Sequence, residues 1–349
     1  MITAPKTGQH LVTIVPRPAP SAIRPGHEAG ANELQNLWYR HMGTPRDVES
    51  DYEEHFEQAA RLQAALNGFG DDNVWLHIGG RDELAVRNLG TGETRQLSEL
   101  AHLPRYGLQE GRPGHKVELK QERLAGKYAL YPSFQQRAGR RSVLAGFGTE
   151  DDQDLEVVLG DLYAAGVRKF FIKANVAKLG LWKFTAGEGL TPSELQRQFL
   201  DEDDGWTIVR HEGDRDFFQV QESVTMTHEY RMFIIGGQLV TGAGCVEEFT
   251  PLDNNGQPFD PKMRPHRNSD GPVRDEPKIL ESYLEFARDA VSALSADVPD
   301  LHNYVMDLAL GSDSRPLIVE LNGMLNAGLY ASRPIEVTRA LARLAATTE

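Results

Sequence analysis

The stretch Tyr304-Val-Met-Asp307-Leu-Ala-Leu310, followed by Gly-Ser-Asp-Ser-Arg-Pro and then by Leu317-Ile-Val-Glu320-Leu-Asn322, decides the reading of this chain. Its middle is turn chemistry. Its arms are apolar-rich runs that read as the two strands of a hairpin. Folding the hairpin symmetrically about Asp313 and Ser314 sets Asp307 directly opposite Glu320. Side chains alternate faces along a strand, so Asp307, Glu320 and Asn322 are expected on one face. Met306, Leu308, Leu310, Leu317, Val319 and Leu321 are expected on the other. Two carboxylates placed directly opposite each other repel. A hard cation between them removes that cost, and magnesium takes oxygen ligands, typically one or two carboxylates plus phosphates of the substrate. Asn322 adds a neutral oxygen. The alternative is a solvated sheet face whose two acids tolerate each other, because polar-out alternation is common in antiparallel sheets.

Working outward, the helix from Pro277 to Ala296 precedes the hairpin and a helix from Pro334 to Ala346 follows it. Tyr230–Ile235 and Gln238–Gly242 are two strands joined by Gly236-Gly237, a favoured hairpin turn. The stretch from Thr250 to Pro277 is rich in Pro, Asp, Asn and Gly and reads as a long loop, of the kind that is a lid, a binding loop or disordered. Further upstream, Asp151–Ala165 reads as a helix with Gly166 as its stop, and Arg168–Lys173 as a strand. Thr191-Pro192 opens a helix and Phe217–Glu222 is a strand. At the start of the chain, the strands His10–Val15 and Asn73–Ile78 flank a helix over Arg46–Leu66, which suggests a small α/β unit. The prolines between Pro16 and Pro25 read as loop, and the polar stretch from Gly90 to Gly148 has no clear pattern.

Composition narrows the function. The 349 residues carry 37 Lys and Arg against 51 Asp and Glu, a net charge of −14, which disfavours a protein that coats nucleic acid. A few lysines and a metal ion can still serve one nucleotide locally. No apolar run is long enough to span a bilayer, so no membrane partner is expected. The single cysteine, Cys245, can form no internal disulfide. The first residues lack a long apolar stretch with a small-residue cleavage site, and a cytoplasmic protein is the expectation.

Three further groups stand upstream of the hairpin. Lys173 ends its strand beside the loop Ala174–Phe184, where a lysine can place a point charge on a phosphate, and Lys178 and Lys183 lie in that loop. Most lysines simply face solvent. Gln221 and Glu222 end a strand whose backbone can meet a purine edge while a carboxylate meets a ribose. Glu229 and Arg231 share a strand face, and Arg231 can grip a phosphate or carboxylate with two N–H groups or pair with Glu229. The stretch from Gly107 lacks the Gly-Lys-Ser/Thr ending of a P-loop. His211-Glu212 and His228-Glu229 read as isolated surface pairs rather than metal ligands.

The order of these pieces resembles the ATP-grasp superfamily, from about Asp151 to Tyr330. The best-matched segments are HEYRMFIIGGQLV (from His228) and YVMDLAL with RPLIVELN. Their form is similar to peptide-forming and ribosomal-protein-modifying ligases, and the tail NGMLNAGLY to a divergent branch of peptide- or amino-acid-modifying members. The resemblance implies an α+β or α/β fold in which two sheets clasp ATP. It implies a catalytic domain over residues 149–349 behind an N-terminal α/β region over 1–148. It implies roles as well: Lys173 and Lys178 on ATP phosphates, Gln221 and Glu222 at the adenine hinge, Glu229 also among the ATP-binding residues, and Arg231 with Lys173 as the catalytic cations, Arg231 facing the γ-phosphate or the acyl-phosphate. Asp307, Glu320 and Asn322 would hold Mg2+. An earlier phosphate-touching cation has four candidates: Lys116, Lys120, Lys127 or Arg141. The activity implied is ADP-forming ligation of a carboxylate substrate to an amine co-substrate through an acyl-phosphate. A small-molecule kinase and a non-catalytic ATP-binding module are the alternatives. A basic cluster at Lys262, Arg264, His266 and Arg267 suits an acidic substrate, or is simply a solvated loop.

Overall fold

The computed structural model describes residues 8–14, 17–43, 51–78, 85–100, 103, 105–107, 127–145, 154–174, 181–201, 218–267, 269–324 and 327–347. The hairpin forms as two antiparallel strands, which we number by chain position: β14 (Tyr304–Leu310) and β15 (Pro316–Asn322). Val305 pairs with Asn322, Met306 with Leu321 and Asp307 with Glu320. The register then slips, so that Leu308 meets Ile318 and Val319 has no partner. A bulge of this kind inserts one residue and exchanges the faces beyond it. Ile318 therefore joins Met306, Leu308 and Leu321 in the buried reverse face, where simple alternation would have put Leu317 and Val319. The connecting turn is closed by Ser314 N–H donating to Gly311 C=O at 2.9 Å, with Ser314 itself at φ +61°.

Two more strands complete this sheet, β10 (Thr227–Ile235) and β11 (Gln238–Gly244), in the order β11-β10-β14-β15. Gly236 and Gly237 take φ of +59° and +70°, the left-handed pair that a tight two-residue hairpin needs. The reverse face carries Tyr230, Met232, Ile234, Tyr304 and Met306. It packs on Tyr283, Ala287, Ala290 and Leu294 of the long helix Pro277–Asp297, and on Phe134 of the short helix α3 (Pro132–Arg137). The front face is divided. Phe233, Ile235 and Val305 are buried under α2 (Tyr52–Phe69) and the closing helix Pro334–Thr347, while the rest carries the charged side chains described below.

A second antiparallel sheet has the order β6-β9-β7-β8, with β6 (Ser142–Ala145), β7 (Lys169–Ala174), β8 (Leu181–Thr185) and β9 (Phe218–Glu222). Period-two alternation decides its faces. Phe170, Ile172, Trp182, Phe184 and Val220 are buried against α4 (Leu155–Ala164) and α5 (Pro192–Asp201). The residues between them, Lys173, Gln219 and Gln221, fall on the opposite face. The short link Ser223–Met226 then carries the chain from β9 into β10 and so joins the two sheets.

The N-terminal region is a third sheet, β4-β3-β2-β1-β5, in which β1 (His10–Ile14) lies parallel to β2 (Val74–Ile78) and to β5 (Arg105–Gly107). Strands β3 (Ala85–Asn88) and β4 (Thr94–Gln96) continue from β2 as an antiparallel meander. Ahead of α2 stands α1 (Glu28–Met42), a helix that follows the proline-rich loop directly. The boundary expected at 148/149 falls just after β6. β6 lies before it and pairs with β9 beyond it. The stretch expected as a bare loop, Thr250–Pro277, holds a 3-10 turn (Pro251–Asp253) and a two-stranded ribbon, β12 (Lys262–Met263) and β13 (Arg274–Asp275). The helix Pro277–Asp297 is α6 and the closing helix is α7. Among the described residues no helix is long and apolar enough to cross a membrane.

Candidate functional site

Strand register puts four residues in one row across the sheet: Ala243, Arg231, Asp307 and Glu320. Arg231 donates from Nε to Asp307 Oδ1 at 2.8 Å and from Nη2 to Asp307 Oδ2 at 2.6 Å, the fork-on-fork pairing that matches the two planes. Asp307 is fully buried. Asn322, one alternation further along β15, donates to Glu320 Oε1 at 2.9 Å and to Asp307 Oδ2 at 3.2 Å. Lys173 reaches across from β7 of the other sheet and pairs with Glu320. The two carboxylates that sequence sets face to face are thus each matched by a cation, and Asn322 spans the gap between them.

These partners shape the proton affinities. Burial would push the Glu320 carboxyl up, but Lys173 and the Asn322 hydrogen bond outweigh it and hold it down to about 2. Burial pushes Asp307 up, against the pull of Arg231. Glu229 is pushed up to about 7 by burial first and by the negative charge of Asp307 second. An unfolded glutamate titrates near 4.3. Folding therefore raises the proton affinity of Glu229. Its favourable contribution is complete below about pH 4.3 and is lost as pH rises through about 7. Wild type is expected to lose more thermal stability between pH 5 and pH 8 than Glu229→Gln, which differential scanning at the two pH values would read. Equal losses would remove Glu229 as the cause.

The donor set fits a magnesium ion. Asp307 and Glu320 bring hard oxygens to one spot, and Asn322 offers its amide oxygen if the amide is turned over. Among the described residues no group of three or more His, Cys, Asp or Glu side chains gathers in a way that would hold a metal, so at this spot the third protein donor would be Asn322.

The remaining sequence candidates fall as follows. Lys178, Lys116, Lys120 and His211-Glu212 lie outside the described residues, and Lys127 opens a 3-10 turn. Lys183 is exposed, with its ammonium 5.6 Å from the Phe171 ring centroid. Gln221 has its side chain engaged, accepting from Arg140 Nε at 2.9 Å and donating to Ser142 Oγ at 3.3 Å. Glu222 is half-buried at the end of β9, beside the link between the sheets. Arg141 turns away, donating to Ala165 C=O at 2.6 Å. Within the basic cluster, Arg264 pairs with Glu248 and Lys262 donates to Asp253 C=O at 2.6 Å. Arg267 instead stands over the ring of Tyr330, 5.5 Å from its centroid.

Two groups at the site escaped the sequence reading. Arg140, buried next to the exposed-facing Arg141, donates to the carbonyls of Ile318 (2.8 Å) and Val319 (2.5 Å) at the bulge, and to Gln221 of the other sheet. It joins the two sheets behind Glu320. On α2, Glu57 accepts from Leu329 N–H (2.5 Å) and Tyr330 N–H (2.9 Å), and Arg61 donates to Ala327 C=O (2.6 Å). Arg231 holds the same loop through Gly328 C=O at 3.2 Å. Tyr330 sits at φ +48°, an unfavourable conformation for a bulky residue that these contacts impose. A helix read only for its apolar spacing gave no sign of Glu57 and Arg61, which lie on its buried face.

Residues 191–340 match a family described as an ATP-grasp domain, the second family of its clade. No curated protein matches the sequence. Among solved structures, the chain is similar to D-cycloserine synthetase DcsG, at 14% identity and a TM-score of 0.44, covering 96% of this chain and 99% of that one. It is also similar to D-alanyl-alanine synthetase A from Vibrio cholerae, at 10% identity and a TM-score of 0.45, with 98% of each chain covered. A third likeness is to ATP-grasp ligase PsnB complexed with minimal precursor, at 16% identity and a TM-score of 0.38, covering 72% of this chain and 66% of that one. The segment that supplies Arg231, Asp307, Glu320 and Asn322 lies inside the family match, so residues 191–340 carry an ATP-grasp domain.

Proposed function

We propose that this protein is an ADP-forming ligase that activates a substrate carboxylate as an acyl-phosphate, which an amine then attacks. The observation that carries the reading is the meeting of Lys173 from one sheet with Glu320, Asp307, Asn322 and Arg231 from the other, on a chain with an ATP-grasp domain. ATP would lie between the sheets, against the Ser223–Met226 link, with Gln221 and Glu222 at the end of β9 beside its base. Asp307, Glu320 and Asn322 would hold magnesium. When bound, that ion supplies positive charge to the phosphate oxygens.

Phosphoryl transfer asks the protein for positioning and charge neutralisation more than for covalent chemistry. Lys173 is suited to this, because its ammonium sits at the mouth of the site on a strand end. It can exchange Glu320 for a phosphate oxygen by a small movement of a flexible side chain. Three of the five N–H groups of Arg231 are engaged by Asp307 and Gly328, so its first role is to hold Asp307 and the 327–330 loop, with its remaining N–H groups left for an oxyanion. In the second half of the reaction the amine nitrogen bonds to the acyl carbon as the carbon–oxygen bond to phosphate breaks, phosphate leaves with the electron pair, and the proton shed by the nitrogen ends on the departing phosphate.

The test is an incubation with ATP, magnesium and mixed carboxylates and amines, with the nucleotide product followed by chromatography and the organic product by mass spectrometry. ADP with a product lighter by one water than its two components is expected. AMP as the nucleotide product, or a stable phosphorylated product with no second component, would overturn the ligase.

A further inference from the structure

Arg140 is buried, and its guanidinium meets carbonyls and an amide where a buried cation ordinarily meets a carboxylate. Nη1 donates to Ala138 C=O at 2.9 Å and to Ile318 C=O at 2.8 Å, Nη2 to Val319 C=O at 2.5 Å, and Nε to Gln221 Oε1 at 2.9 Å. Ile318 and Val319 are the residues at the bulge of β15. A bulge interrupts the ladder, so the carbonyls there need other donors, and Arg140 supplies them. The Val319 carbonyl lies in the same planar peptide unit as the Glu320 nitrogen. Holding that unit fixes where the Glu320 Cα sits and how its side chain is aimed. The backbone beside Arg140 is shaped for this approach. Gly139 has φ of +61°, and a Cβ there would lie 3.0 Å from Leu317 Cδ2 and 3.2 Å from Leu317 Cβ. On the other side of Arg140 a buried chain continues. Gln221 donates to Ser142 Oγ at 3.3 Å, Gln219 donates to the same oxygen at 3.1 Å, and the Tyr128 hydroxyl donates to Gln219 Oε1 at 2.9 Å. Gln219 stands opposite Lys173 in the pairing of β9 with β7. The chain therefore runs from the peptide beside Glu320 to the strand beside Lys173, the two residues that meet across the gap. A satisfied buried network of this kind rigidifies one geometry.

The two acids of the site are thus held in different ways. Arg231 grips Asp307 by its carboxylate, whereas Arg140 holds Glu320 by its backbone. The second arrangement leaves a carboxylate that can change partner while its strand stays still. Magnesium requires near-ideal octahedral geometry at short distances, whereas calcium accepts a looser and more variable shell of oxygens. A brace that fixes one ligand therefore matters greatly to the smaller ion and little to the larger. We propose that Arg140 is a positioning residue that makes the site selective for magnesium over calcium, by holding the Val319–Glu320 peptide between the sheets. It touches neither the ion nor the phosphates in this role. The inference rests on the magnesium site of the ligase reading and adds to it how one ligand of that site is aimed.

The experiment titrates the non-hydrolysable ATP analogue AMP-PNP into the full chain by calorimetry, at saturating magnesium, at saturating calcium and with a chelator. Wild type is expected to bind the analogue more tightly with magnesium than with calcium. Arg140→Lys and Arg140→Gln are expected to lose about tenfold with magnesium and less than about twofold in the other two conditions, since removal of an outer-shell partner weakens a metal site by about 10–100-fold. Gly139→Ala keeps the guanidinium but drives its backbone away from Leu317, and it is expected to lose the same preference. Circular dichroism and melting curves verify the fold of each variant. If the Arg140 variants do not fold, the Gly139→Ala titrations decide. Equal losses in all three conditions would make Arg140 a general structural residue or a direct nucleotide contact, and would overturn the inference. An unchanged preference in variants that fold overturns it too, as does a wild type that binds the analogue equally well with either ion. A wild type that binds no analogue under any condition strikes the ligase reading itself.

Discussion

Arg231→Met is expected to destabilise the protein by about 3–5 kcal/mol, read as a fall in the denaturant midpoint at unchanged slope. Asp307 is fully buried and receives two short N–H bonds from Arg231, with only the longer Asn322 contact besides among the described residues. Methionine fills much of the volume but leaves a buried carboxylate without its counter-charge, and it also releases the Gly328 carbonyl from Nη1. The penalty belongs to the orphaned charge more than to the lost attraction. The double variant Arg231→Met/Asp307→Leu should therefore regain most of the loss, because two apolar side chains in the same row leave nothing to neutralise. A double variant as unstable as the worse single one would show that the pair is not what the sheet depends on.

Glu320→Gln is expected to leave the fold largely intact and to lower ATP turnover by about 10²–10³-fold, the scale on which removal of one preorganised electrostatic group acts. Glu320 keeps about a quarter of its side chain exposed (23%), against none for Asp307, so it is the acid at the mouth of the site. Glutamine preserves its shape and its hydrogen bond to Asn322 but removes the charge that faces Lys173. Steady-state ADP release at several magnesium concentrations would show both the lower rate and a higher magnesium requirement. Turnover and magnesium dependence equal to wild type would take Glu320 out of the site altogether.

The centre of the site was legible because it is written in strand alternation. Asp307 and Glu320 are equidistant from a turn of unmistakable composition, and the structure pairs them as that symmetry requires. The slip beyond them was not legible, because Leu317-Ile-Val is apolar throughout and reads the same in either register. Helix α1 was hidden for a related reason. Only Ala31, Leu34 and Trp38 are buried along its fifteen residues, a thin stripe among polar neighbours that begins soon after a proline-rich run. Arg140 carries no pattern at all. It differs from Arg141 only in which side of β6 each serves, and two adjacent arginines look alike until the strand faces are known. Glu57 and Arg61 sit where helical spacing promises a buried face, and that expectation screens out charged residues.

The anchoring of the Ala327–Tyr330 loop by α2 bears on how this protein can be taken apart. The loop is pinned by a helix some 270 positions earlier in the chain, through Glu57 and Arg61, and α7 lies along that same helix. The N-terminal region is therefore not an interchangeable module that could be trimmed away or traded for a relative's. A chimera would have to carry α2 with the C-terminal half, or else inherit a loop with no floor.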